Sequence, residues 1–220
     1  MPTVVNDRAD DTALRDLNAL NALIVRNIGD IEAAIERAMQ ELDKRLWKEM
    51  AAVVEVAAGR YGWRSDNKPE DNEVQFSFES AEWQKGDRTA QFRFSIEEIP
   101  GATNDFPSSW IAEAVAENPQ GARLGLVLIQ DVLKPRALAR VIKKKAELLA
   151  KLADHKILLN EDNALFIEIN IDKEVLAQAF EEDDFEIALN PLLTAMKTID
   201  QAKQLINQIV TAICTEDANT

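Results

Sequence analysis

Cysteine, histidine and tyrosine each occur once in 220 residues, and glycine and proline seven times each. A lone cysteine, Cys214, closes no disulfide within the chain, so packing must hold the fold, as in a reducing compartment. With one histidine, His155, the chain also lacks the set of Cys and His ligands that a structural zinc site takes. Long apolar runs are missing as well. Stretches such as Leu124–Ile129 fall far short of the roughly 20 residues that cross a bilayer. Met1 to Asp11 is acidic where a secretory signal would be basic and then apolar. The expectation is a cytoplasmic protein with no membrane segment.

Catalytic signatures are absent too. There is no G-x-S-x-G elbow, no Walker A loop and no G-x-G-x-x-G turn. A nuclease of the restriction-endonuclease-like class needs an acidic residue and then Glu or Asp, one spacer and Lys on adjacent strands. Its metal must bridge carboxylates beside a lysine that stabilises charge. The candidate tripeptide Asp66-Asn67-Lys68 reads as loop, and Glu168, on an expected strand, is followed by Asn170 rather than Lys. The acidic clusters Asp7, Asp10, Asp11 and Glu181–Asp184 lack the alternating ligands and glycine of a calcium loop, and read as solvated surface. His155 follows a helix end in a lysine-rich stretch, where the dipole favours it, and no motif places a nucleophile beside it. No catalytic residue, metal site or cofactor is implied.

What is present is a change of hydrophobic period. From about Asp11 to Ala58 apolar residues recur every three or four positions. Val74, Phe76, Phe78 and then Ala90, Phe92, Phe94, Ile96 fall on every second one. The two periods bury different sets of side chains and require different backbones. The fold class is therefore α+β: an antiparallel sheet of about four strands with helices packed on it, flanked by long N- and C-terminal helices with heptad-like seams.

Four segments follow. Residues 1–10 read as a disordered acidic tail, 11–60 as an N-terminal helical segment, 61–180 as an α+β core and 190–214 as a long C-terminal helix. In the first helical segment Gly29 and Asp30 read as a break and a new cap. Beyond it Ile28, Ile31, Ile35, Ala38 and Leu42 step by three, four, three and four, the spacing of a coiled-coil seam, and Gly59 is the expected stop. Tyr61 to Asn72 reads as loop, and Lys85-Gly86-Asp87 as the turn between two strands. A shift of apolar phase from Phe78 to Trp83 suggests a bulge near Ser80. Leu124–Ile129 does not alternate and should be covered on both faces. Pro135 opens a helix to about Asp154, Leu165–Ile171 alternates as a strand, and Asp172 caps a short helix. The last helix keeps seven-residue spacing at Leu192, Ile199, Ile206 and Ile213, with Ala195, Ala202 and Ile209 between them. Such a seam calls for a partner helix, within the chain or on a second copy.

The formal charge of −14 argues against general affinity for nucleic acid or anionic lipid. Its distribution is uneven: between Lys134 and Lys156 eight Lys or Arg stand against two acids, Glu147 and Asp154. Arg136, Arg140, Lys143, Lys144 and Lys151 fall mostly on one face of the expected helix and could contact phosphate or an acidic protein. No aromatics interleave them for stacking on bases, so an ordinary amphipathic surface helix is the plainer account. Trp63, Trp83, Trp110 and Tyr61 flank the hairpin; a small core under the long loops is the plainer account of them, with Trp110 expected to be the most exposed of the four and the candidate contact residue. The reading these features support is a non-enzymatic interaction or regulatory protein that self-associates as a homo-oligomer. The rivals are an acidic DNA mimic, of the kind phages use against nucleic-acid-processing enzymes, a nucleic-acid-associated protein using residues 134–156, and a divergent nuclease.

Overall fold

The computed structural model describes residues 7–68, 75–83, 92–100, 110–115 and 122–218. Helices α1 (Asp7–Arg26) and α2 (Ile28–Arg37) lead through a π turn (Ala38–Leu42) into α3 (Asp43–Tyr61). Strands β1 (Arg64–Lys68) and β2 (Gln75–Glu79), a 3-10 turn (Ala81–Trp83), β3 (Phe92–Ile99), α4 (Trp110–Ala114) and β4 (Arg123–Gln130) follow. The chain continues with α5 (Pro135–Lys143), α6 (Ala146–Asp154), β5 (Leu158–Leu159), β6 (Leu165–Ile169), α7 (Lys173–Glu182), α8 (Asn190–Gln201) and α9 (Lys203–Asp217). The turn expected at Lys85–Asp87 and residues Val74 and Ala90 lie outside the described residues.

The strands form one sheet in the order β1-β2-β3-β4-β6-β5, every neighbouring pair antiparallel. The α+β class holds, but the sheet has six strands rather than about four. The two additions carry little hydrophobic signal. β1, placed in the expected loop, reads Arg-Ser-Asp-Asn-Lys and joins the edge through its backbone; β5 is two residues long. A strand earns apolar alternation only where its side chains meet a core. The first helical segment also runs past Gly59. It stops at Gly62, whose φ of +67° is the left-handed conformation of a helix cap. At the other end the helix begins at Asp7, within the stretch expected to be disordered.

The core lies on one face of the sheet. Phe78 pairs with Phe94 and Phe94 with Leu128, so even-numbered residues of β2, β3 and β4 point together toward the helices. Phe76, Phe78, Phe92 and Phe94 are all buried there. Trp83 joins them, not across a bulge but from the 3-10 turn that ends β2, and its ring sits 5.6 Å from that of Phe94. Trp63 stacks on Phe78 at 4.9 Å. β4 is covered on its second face too, where Val127 meets Ile99 and Phe166.

Helix α8 packs on α3 and β6, and α9 on α5, α6 and the 3-10 turn. Leu192, Ile199 and Ile206 are fully buried and Ile213 nearly so. These four residues, expected to meet a partner helix within the chain or on a second copy, line the chain's own core. Seven-residue spacing lies close to two turns of a 3.6-residue helix, so the same stripe serves a sheet or a second helix. The helix itself is interrupted at Ala202, and the one expected from Pro135 to Asp154 at Lys144–Lys145. There Lys144 and Lys145 donate to Val141 and Ile142, three residues back.

Candidate functional site

Exposed apolar surface is concentrated at one place. Of the eleven large hydrophobic side chains exposed among the described residues, eight lie between Leu17 and Met39: Leu17, Leu20, Leu23, Ile24, Val25, Ile28, Ile35 and Met39. The others, Val56, Leu158 and Ile187, are scattered. Helix α2 has no buried residue at all. Together α1 and α2 form an arm whose large hydrophobic side chains from Leu17 to Met39 are uncovered.

The arm is one rod with a small irregularity. The break expected at Gly29 is confined to Asn27, with φ −113° and ψ 14°. The ladder runs through it: Asn27 N–H donates to Leu23 and Ile24, and Ile31 N–H to Asn27. The Asn27 side-chain amide adds a bond to the Leu23 carbonyl at 2.8 Å. On the outer surface Arg37 pairs with Glu41 at 3.1 Å and Gln40 donates to Glu36, polar contacts at helical spacing.

A π turn joins the arm to the domain and sets its orientation. The N–H of Asp43 donates to the Ala38 carbonyl, five residues back. On the arm the apolar stripe passes through Ile28, Ile31 and Ile35. On α3 the buried stripe passes through Asp43, Trp47, Met50 and Val54. Ile35 to Asp43 is eight residues where a regular stripe would take seven, and the π turn absorbs the extra one. The uncovered side of the arm therefore continues the side on which α3 meets its core.

Asp43 is the pivot of this junction. It is buried and accepts the backbone N–H of Ile111 at 3.1 Å and that of Trp110, capping the first turn of α4. Burial pushes its carboxyl above the usual carboxylate range, only partly offset by those two N–H groups. Beside it Leu42, Ile111, Val115, Leu176 and Phe180 line an open apolar groove of about 510 Å³. The apolar side of the arm thus runs into a groove at its base.

The cationic residues are placed differently from the sequence expectation. Arg136, Arg140 and Lys143 share α5, and Lys144 caps it, but Lys151 lies on the separate α6, so the single stripe is divided. All five are exposed. Arg140 and Lys144 lie 3.6 and 3.5 Å from Glu216 of α9, across a shallow cleft of about 520 Å³. Part of the positive charge is therefore matched within the chain. Trp110, the candidate contact residue, is half-buried, its ring 4.5 Å from that of Trp47 in an edge contact. His155 caps the C-terminus of α6.

Among the described residues the carboxylates do not converge on a metal. Asp66 and Lys68 lie on edge strand β1 rather than in a loop. Glu168 meets Arg123 at 2.9 Å on the sheet face away from the main core. Among the described residues no three His, Cys, Asp or Glu side chains are grouped to hold an ion, and no helix is long and apolar enough to cross a membrane.

Sequence reasoning found Ile28, Ile31 and Ile35 but missed Leu17, Leu20, Ile24 and Val25. Stepping backwards by three or four from Ile28 would have reached Ile24 and Leu17. Comparison with protein-family models, with curated proteins and with solved structures found no match to this chain.

Proposed function

We propose that this protein is a non-enzymatic interaction factor that self-associates through its N-terminal helical arm. The observation that carries the reading is the run of exposed large hydrophobics from Leu17 to Met39 on helices with no buried residue in α2. Helical stability in proteins comes mostly from packing an amphipathic face, and an unpacked helix of moderate length is marginal in water. Gly29 in the arm weakens it further by about 1 kcal/mol relative to alanine. A rod of this kind acquires its stability by covering its apolar side. Of the two seams expected to take part in self-association, the one on the arm supports this reading, because the last helix is spent on the core.

Light scattering on the intact protein tests the proposal. A mass above that of one chain at tens of micromolar is expected, falling to one chain in the double variant Ile28→Asp/Ile35→Asp. Those side chains are exposed, so the domain keeps its melting transition while the uncovered arm loses helical signal. A single-chain mass for the parent would overturn the reading.

A further inference from the structure

We infer that the arm pairs with a second copy of this chain as a parallel two-stranded coiled coil whose register is fixed by Asn21. The inference rests on self-association through the arm and specifies its partner, direction and alignment. Read in heptads, Asn21, Ile28 and Ile35 fall at one core position, a, and Leu17, Ile24 and Ile31 at the other, d. All of these are exposed except Ile31, which is partly covered. The arm is long enough for the assignment, since Leu17 to Ile35 spans about 27 Å of helix.

Asn21 decides among the possible partners. Isoleucine at both core positions would by itself favour three or four strands, whereas one asparagine at a selects two strands and a single register. In a parallel pair Asn21 faces Asn21 of the second copy, and each amide can donate to and accept from the other. In an antiparallel pair core position a faces d of the partner, so Asn21 would face a residue such as Ile31, leaving a polar amide against an apolar side chain. An unrelated apolar helix would leave Asn21 equally unmatched. Leu20 and Val25 flank the core at positions g and e, five residues apart, and parallel strands bring g of one helix beside e of the other. Charged groups do not oppose the match. Asp30 and Glu36 fall at the outward positions c and b, and Arg37 and Glu41 pair along their own helix.

The test places a thiol at Leu17, with the native cysteine removed, in the variant Leu17→Cys/Cys214→Ser. Parallel strands in register bring the two thiols into the same layer, within disulfide reach. Antiparallel strands that set Asn21 against Ile31 separate them by about 27 Å. Oxidised glutathione is expected to convert most of the protein to a reducible covalent dimer, and to leave Glu36→Cys/Cys214→Ser, with its thiol on the outer face, mostly uncrosslinked. A two-chain mass by light scattering without the Leu17→Cys crosslink would overturn the parallel register while leaving self-association standing. A three- or four-chain mass would overturn the two-stranded state. A single-chain mass would overturn self-association itself. As a separate readout, Asn21→Ile is expected to replace the two-chain species with a mixture of larger ones, and an unchanged two-chain mass would remove Asn21 from its assigned role.

Discussion

The indole N–H of Trp83 donates to the side-chain carbonyl of Asn207 at 2.7 Å, joining residues 124 positions apart. Asn207 in turn donates to Glu82, which also meets Lys203 at 2.8 Å. Helix α9 is thereby fastened to the 3-10 turn that ends β2. The bond also explains how a tryptophan that is almost wholly buried keeps its donor satisfied.

Replacing Asn207 with alanine is expected to destabilise the protein by about 1–3 kcal/mol, because the buried Trp83 N–H loses its acceptor. Urea denaturation measures this as a lower midpoint. The exposed neighbour Gln208→Ala should stay within about 0.5 kcal/mol of the parent. Equal midpoints for the two variants would show that the link carries no stability.

Glu82 and Asp43 give pH dependences of opposite sign. The bonds from Lys203 and Asn207 hold the Glu82 carboxyl below its ordinary value of 4.5. Its contribution is fully present above that value and is lost as pH falls through the lower folded value. On acidification the parent should lose more melting temperature than Glu82→Gln, by an amount that shrinks in high salt because the group is exposed. Asp43 is raised by burial above 3.8, so its contribution is greatest below the unfolded value and is lost as pH rises through the folded one. Relative to Asp43→Asn, the parent should gain stability on acidification. Parallel melting curves across pH for the three proteins would expose a reversal of either sign.

A methyl group at Gly125 has no room. A Cβ there would lie 2.9 Å from the Ile167 carbonyl oxygen and 2.3 Å from Ile99 Cδ1. The isoleucine tip can rotate away, but the backbone oxygen belongs to the β4–β6 ladder. Gly125→Ala is expected to cost about 1–3 kcal/mol, the usual range for overpacking. A midpoint equal to the parent's in urea would show that the two strands part without penalty.

Ile206→Asp separates the core role of the last helix from an interface role. Ile206 is fully buried within the chain, and an unpaired carboxylate at such a site is strongly destabilising. The variant should unfold or melt far below the parent instead of dissociating into folded single chains. A folded single-chain product would return the seam at Leu192, Ile199, Ile206 and Ile213 to the oligomer interface.

The chain itself determined the two periods, and with them the α+β class, the paired phenylalanines of β2 and β3 and the helix starts at Pro135 and Asp172. These features are local: side chains two, three or four residues apart must share a face once the backbone is helical or extended. Tertiary structure decided what each face meets. The regular steps on the arm and on the last helix look alike in sequence, yet one stripe is exposed and the other wholly buried. Periodicity reports that a stripe needs cover and not what supplies it. The cationic segment teaches the same lesson, since nothing near Arg140 and Lys144 foretells that Glu216, more than seventy residues away in sequence, comes to face them. The π turn at Ala38–Leu42 belongs to the fold alone. In sequence Leu42 follows Ile35 by a regular seven, and only the fold, in which the buried Asp43 caps α4, shows that the stripe resumes one residue later.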